Sequence, residues 1–136
     1  MSENEFDIGG FMLESLKPFR PFAYFDKHMD CIRVLIKDVS VVEVRQSDMF
    51  TVARPAHPTK FDDGRNVGFT IKGVAHLFKE IGLPLSGVHQ LVEILDEIVK
   101  KIPHTTVKRV VDEFSGVLRE QKLSVDLDVE KELLAA

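Results

Sequence analysis

The chain has 136 residues, of which 44% are hydrophobic and 29% are charged. This length predicts a single domain, and this composition excludes both a disordered chain and one embedded in a membrane. The formal net charge of −4, from 18 basic and 22 acidic residues, excludes a uniformly basic nucleic-acid-binding surface but permits a local basic patch.

The expected compartment is reducing, because the only cysteine, Cys31, has no partner for a disulfide within the chain. The first residues are acidic where a signal peptide would be basic. No run of the sequence approaches the roughly 20 apolar residues of a membrane span. We therefore expect a cytoplasmic protein that makes no contact with a membrane.

Residues 1–21 form an apolar leader. Half of the ten phenylalanines lie within the first 25 positions, namely Phe6, Phe11, Phe19, Phe22 and Phe25. The spacing of Met12, Leu13 and Leu16 predicts a short helix that ends before Pro18. A leader with this composition is expected to dock on the core or on a second copy of the chain.

Residues 22–73 are predicted to form an antiparallel β-meander of four to five strands. Apolar and polar side chains alternate with a period of two, which is typical of strands with one buried face. The positions expected to face the core are Ile32, Val34, Ile36, Val42, Val44, Val67, Phe69 and Ile71. Short polar turns separate the first strands, and this favours antiparallel neighbours.

The period changes to that of a helix at residue 74, and residues 74–121 are predicted to form three helices. Gly82 is expected to cap the C-terminus of the first helix. Ser86 is the expected N-cap of the second helix, with Val88 opening its apolar stripe.

Thr105 or Thr106 is the expected N-cap of the third helix, which is predicted to pack against the second helix as a hairpin. In the last segment, residues 122–136, alternation over 123–129 predicts a strand that pairs within the chain or with another molecule. The expected fold is therefore α+β, with three helices packed on an N-terminal antiparallel sheet and a C-terminal strand.

Reactive side chains around the first predicted turn form a candidate catalytic cluster. Its members are Asp26, His28, Asp30, Cys31 and Arg33. A nearby base can activate a thiol as a nucleophile, and Cys31 shares a strand face with Arg33, so it is expected to be partly exposed. The alternative is that the aspartates shape the turn, His28 is solvated and Cys31 packs as a small apolar residue. We favour this alternative, because no third orienting group or oxyanion motif accompanies the cluster.

No metal site and no cofactor are predicted. The five histidines form no His-x-x-x-His pair, and no Cys-x-x-Cys is present. The acidic residues Asp62 and Asp63, and likewise Asp126 and Asp128, lack the ligand run of a calcium loop. Phosphate-binding loops and the Gly-x-Ser-x-Gly motif are also absent from the sequence.

A basic segment near residues 98–112 resembles the turn and recognition helix of helix-turn-helix repressors. Its candidate nucleic-acid-binding residues are Lys100, Lys101, His104, Thr105, Lys108 and Arg109. The turn is shorter than in those repressors and lacks their usual glycine.

The same basic residues have expected structural uses. Lys108 and Arg109 are each four residues before an acid, Asp112 and Glu113, and such spacing favours ion pairs along one helix. Lys100 and Lys101 are expected at a helix C-terminus, where the helix dipole favours cations. Nucleic-acid binding is therefore possible but not favoured.

Residues 24–34 and 67–74 resemble a family of small bacterial proteins of unknown function. The family pattern is an aromatic residue, an aspartate, three variable residues and a second aspartate, here Asp26 and Asp30, before an alternating strand. The resemblance covers residues 24–74 and implies a strand-turn-strand opening followed by a helix. It implies no site, because the family has no agreed activity.

The leading functional hypothesis is a non-enzymatic protein-interaction or assembly module that forms a homodimer. The apolar leader, the C-terminal strand and the lack of catalytic motifs motivate it. The alternatives are a DNA-binding transcriptional regulator that uses residues 98–112 and a small-molecule enzyme with its site at residues 26–33. The expected partner is a second copy or another protein.

Overall fold

The computed structural model describes residues 18–58, 65–102 and 105–129, with the backbone alone at Thr105. The predicted leader helix and the last residues of the chain lie outside these ranges. Within them, no helix has the length and apolar character needed to cross a membrane.

The described residues form a five-stranded antiparallel sheet, three helices and a separate two-stranded sheet. In chain order the elements are β1 (Phe22–Asp26), β2 (Cys31–Leu35), β3 (Val41–Arg45), β4 (Phe50–Pro55), β5 (Gly68–Lys72), α1 (Val74–Ile81), β6 (Val88–Gln90), α2 (Leu91–Lys101), α3 (Thr105–Glu120) and β7 (Ser124–Asp126). The predicted α+β class is confirmed.

The strand order of the large sheet is β1-β2-β5-β4-β3, so the strands do not follow one another as in a sequential meander. The last strand, β5, lies in the middle and pairs with both β2 and β4. Its first four residues are buried, whereas four of the five residues of β3 are exposed. The strand that carries apolar or small side chains on both faces takes the centre, and the polar strand takes the edge.

The core lies between one face of the large sheet and the three helices. Phe69 of β5 is its central aromatic side chain, with ring centroids 6.2 Å from Phe50 and 4.9 Å from Phe114 of α3. All three rings are almost completely buried. Burying a phenylalanine side chain stabilises a fold by about 1.5–3 kcal/mol, so this cluster is a main link between the sheet and α3.

The predicted C-terminal cap of the first helix is confirmed, whereas Thr105 and Thr106 lie within the third helix and not at its N-cap position. Gly82 caps α1 in the left-handed conformation, with φ of 80°, and its N–H donates to the carbonyl oxygen of Phe78 at 2.9 Å. Helix α3 begins at Thr105 and packs against α2.

The predicted start of the second helix is wrong. Ser86 is not its N-cap, because α2 begins at Leu91 after Gln90. Val88, expected on the apolar stripe, lies in β6 and is 65% exposed. The reason is long-range: β6 pairs with β7, and the N–H of Leu91 donates to the carbonyl oxygen of Leu123 at 2.9 Å.

The C-terminal strand therefore pairs within the chain, although not with the large sheet. Its strand residues are the three of β7, fewer than the alternation over 123–129 predicts. The N–H of Leu127 donates to the carbonyl oxygen of Gly87 at 2.9 Å, and Leu127 itself is buried. The small β6–β7 sheet thus closes the helical part of the chain and also packs beside β1.

The prediction that both inward valines of β3 are buried is wrong for one of them. Val44 is partly buried against the core, but Val42 is 50% exposed. Both side chains point to the helix side of the sheet, since they alternate with Glu43. The difference arises because the helical layer does not extend over the far end of β3.

We expect Gly68→Ala to destabilise the fold, because an added Cβ would overlap the backbone carbonyl oxygen of Val34 in the neighbouring strand. Overpacking of this kind costs about 1–3 kcal/mol in unfolding free energy, measurable by urea denaturation. Gly116→Ala is the matched control, since its Cβ would meet nothing within 4 Å and should stabilise α3 by about 0.5–1 kcal/mol. Equal effects of the two substitutions would contradict the close approach at Gly68.

Candidate functional site

The two aspartates of the candidate catalytic cluster bind backbone N–H groups. Asp26 is buried, and its Oδ1 accepts a hydrogen bond from the N–H of Met29 at 3.2 Å. Asp30 accepts the N–H of Ala75 on Oδ1 at 3.0 Å, and its carbonyl oxygen accepts the N–H of Val74 at 3.1 Å. Because Gly73 offers α1 no side-chain cap, Asp30 caps that helix from the β1–β2 turn.

The expected partial exposure of Cys31 is wrong, since only 3% of the residue is accessible. Cys31 lies in the interior strand β2, where Asp26 and Lys72 flank it on the adjacent strands. Burial raises the pKa of the Cys31 thiol, and the nearby Arg33 charge opposes this shift only in part. A buried thiol with a raised pKa is a poor nucleophile.

The five residues of the cluster are thus near one another in the fold but do not form a nucleophile with its base. Asp30 binds the start of α1, His28 is exposed on the turn, and Cys31 is buried. Arg33 lies 4.0 Å from the Asp26 carboxylate but makes its close ion pair elsewhere. The hydrogen bonds of Asp26 and Asp30 agree with the alternative interpretation, in which the two aspartates shape the turn.

The face of the large sheet opposite the helices carries a row of polar side chains. The register aligns Tyr24, Arg33, Thr70, Thr51 and Arg45 across all five strands. We call this side of the sheet the open face because it lies opposite the helical layer, although Thr51 and Thr70 at its centre are buried. The cross-strand contacts of Arg33 occur on this face.

Glu43 of β3 is the hydrogen-bonding centre of the open face. Its Oε1 accepts the Nη1–H of Arg33 at 2.8 Å and the hydroxyl of Thr70 at 3.4 Å. Alternation with Val42 and Val44 predicts that Glu43 faces away from the core, but it does not identify Arg33 as its partner. The connection depends on which strands are neighbours, and alternation within each strand does not determine that order.

A cavity of about 230 Å³ lies on the open face around the Arg33–Glu43 ion pair. Its apolar walls include Phe22, Leu35 and Val41. Phe22 stacks on Tyr24 with ring centroids 6.1 Å apart. The cavity therefore combines apolar walls with one internally neutralised ion pair, a lining that suits an apolar or amphipathic group better than a charged one.

Two of the basic residues proposed for nucleic-acid binding are engaged within the helical layer. The Nζ of Lys101 lies 3.2 Å from Glu97 and donates to the carbonyl oxygen of Ile81 at 2.6 Å. The Nζ of Lys100 lies 3.4 Å from the same Glu97 carboxylate. The hydrogen bonds from Lys101 and Lys100 lower the pKa of Glu97. Lys101 thereby joins the end of α2 to the end of α1.

The expected ion pairs at the start of α3 do not form. Lys108 and Arg109 are exposed, and among the described residues no ion pair joins them to Asp112 or Glu113. Glu113 instead accepts a hydrogen bond from the Nδ2 of Asn66 at 2.8 Å. His104 and the side chain of Thr105 lie outside the described residues, so the nucleic-acid interface stays a prediction.

No group of three or more potential metal-binding side chains occurs in the part of the chain that the structure describes. Asp62 and Asp63 fall outside that part. Asp126 Oδ1 accepts the N–H of Asp128 at 2.9 Å, and Asp128 Oδ2 accepts the N–H of Gly87 at 3.0 Å. These two acids therefore shape the turn that follows β7.

Comparison with known proteins finds no match among family models, curated proteins or solved structures. The resemblance of residues 24–74 to a small bacterial family stays a prediction. The candidate site must therefore be judged by its own geometry.

We expect Asp30→Ala to lower the unfolding free energy by about 1–2 kcal/mol, the usual cost of losing a helix cap. The residue has a φ of 51°, which alanine disfavours. Asp30→Asn keeps an acceptor oxygen and tolerates this φ, so it should lose much less in the same urea denaturation experiment. If the alanine variant were as stable as the native chain, the capping role would be wrong.

We expect Cys31 to react with a thiol reagent at least about tenfold more slowly in the native chain than in urea, because the group is buried.

The pKa of the Cys31 thiol in the folded chain is raised above the usual 9.0, so the thiol favours folding below about pH 9 and this contribution is lost as the pH rises further. Unfolding free energies should therefore fall between about pH 8 and pH 10, and Cys31→Ala should reduce this fall. Fast labelling at neutral pH would contradict the burial.

Proposed function

We propose that the chain is a non-enzymatic protein-interaction module that assembles as a homodimer. The observation that carries the proposal is the uncovered apolar surface at the β3 side of the large sheet. Val41 and Val42 are 37% and 50% exposed, and Phe22, on the far wall of the open-face cavity, is 42% exposed. We call Val41, Val42 and the rest of β3 the β3 surface.

Val41 points to the open face and Val42 to the helix side, so β3 exposes apolar surface on both faces. Neighbouring exposed apolar side chains are typical of interaction surfaces, whereas single exposed ones are ordinary. Removing such surface from water stabilises a complex by roughly 25 cal/mol per Å² of apolar area. β3 is one of the two edge strands of the sheet and the most exposed of its five strands, so a partner can reach both of its faces.

The two alternatives have weaker support. An enzyme at residues 26–33 would need a reactive thiol or a free carboxylate, but Cys31 is buried and Asp30 caps α1. A DNA-binding helix would depend chiefly on Lys108 and Arg109, since the two basic residues before it bind Glu97. The free thiol of Cys31 supports a reducing compartment, and we propose the cytoplasm.

Sedimentation velocity of the full chain at micromolar concentration tests the proposal. We expect a species of twice the 15.4 kDa chain mass. Val42→Asp should shift it toward monomer, because a carboxylate would be buried at the interface. Val88→Asp is the matched control, since Val88 is exposed on a different sheet. A purely monomeric native chain throughout the micromolar range would rule the homodimer out.

A further inference from the structure

The backbone hydrogen bonds between β3 and β4 determine which residues of β3 point their backbone groups away from the sheet. The N–H of Gln46 donates to the carbonyl oxygen of Phe50 at 2.9 Å, and the N–H of Ala56 donates to that of Ser40 at 2.8 Å. In antiparallel pairs, residues that bond to the neighbour alternate with residues that do not. The even-numbered positions therefore bond to β4, and the backbone groups of Val41, Glu43 and Arg45 point away from the sheet.

Among the described strands, β3 has β4 as its only neighbour, so this outward row is available for another strand. A free edge with N–H and C=O groups at every second residue is a template for strand addition. Natural edges are often blocked by proline, a bulge or unbalanced charge. The five residues of β3 contain no proline, pair in unbroken register with β4 and carry one acid and one base.

We propose that two copies of the chain join antiparallel through β3, centred on Val44, and form one continuous sheet. This inference rests on the proposed homodimer and adds its interface and register. Centring on Val44 places Glu43 opposite Arg45 of the second copy, and the dyad repeats this pair. Both members belong to the outward-pointing set, so their backbone groups can exchange hydrogen bonds.

The charges of β3 select this register from the two neighbouring ones. Centring on Glu43 would place two copies of that carboxylate directly opposite each other, which is destabilising. Centring on Arg45, the neighbouring register on the other side, would place two copies of that guanidinium directly opposite each other and Glu43 opposite Ser47. Only centring on Val44 gives two opposite-charge pairs.

The intrachain contacts of these side chains are compatible with the pairing. Glu43 and Arg45 are exposed, and their present partners are Arg33 and Asp48. The half-exposed Val42 shows that the helices stop short of the edge, so a second sheet can approach without meeting them. A two-fold axis perpendicular to the continuous sheet also places the open faces of both copies on the same side of that sheet. The two cavities would then lie on either side of the β3–β3 interface.

Disulfide trapping tests the register in a Cys31→Ala background. Val44 and its copy would form a non-hydrogen-bonded pair with Cα atoms about 4.5 Å apart, within disulfide range. We expect Val44→Cys to cross-link with oxidised glutathione. Val42→Cys lies on the same face, but its copy would be about 13 Å away along the strand, so it should not cross-link.

Failure of Val44→Cys to cross-link, or cross-linking of Val42→Cys, overturns the proposed register. If the native chain still sediments as a dimer in that case, the proposed function stands and the interface lies elsewhere. A native chain that is monomeric removes both proposals together.

Charge substitution provides an independent arm of the same test. Arg45→Glu alone and Glu43→Lys alone should each weaken self-association at least about tenfold, because like charges would then face each other twice. Mixing the two variants should restore a dimer, because each acid would meet a base. Lys79→Glu, the matched control on the exposed side of α1, should have little effect. If the mixture associates no better than either variant alone, the Glu43–Arg45 pairing is wrong. Circular dichroism checks that each variant folds.

Discussion

The insertion of β5 between β2 and β4 is the constraint on which the architecture depends. β1 with β2, and β3 with β4, are local hairpins without direct pairing between them, so among the strands that the structure describes β5 alone joins them. The fit is close: Gly68 lies against the backbone of Val34, and Phe69 on the other side of the strand enters the core between Phe50 and Phe114. The two hairpins are therefore held in one sheet by a short strand that also carries the central aromatic side chain of the core.

This arrangement explains which parts of the structure could be predicted from the sequence. Alternation identified most of the strands, and the change of period at Val74 marked α1, because both signals arise within a few residues. The central place of β5 could not be predicted from them, since strand order depends on contacts between distant segments. Helix periodicity likewise failed at Val88, where pairing with β7 outweighed the local pattern.

The candidate site shows the same difference between local features, which the sequence predicts, and long-range contacts, which it does not. Asp26 and Asp30 were correctly placed at a turn, but the capping of α1 by Asp30 joins residues 45 positions apart in the chain. Cys31 was expected to be partly exposed because its own strand alternates, yet it is 3% accessible and flanked by Asp26 and Lys72 on the adjacent strands. Arg33 of the same cluster makes its close ion pair with Glu43 of β3, so the cluster is joined to the strand on which the proposed interaction surface lies.

The small β6–β7 sheet has a consequence for how the chain opens. β6 leads directly into α2, and β7 follows α3 after a short turn, so the two strands close the helical hairpin into a loop with joined ends. Such a closed segment tends to behave as one cooperative unit. We therefore expect residues 88–126 to exchange their backbone amide hydrogens with solvent together, while the exposed strand β3 frays independently of them.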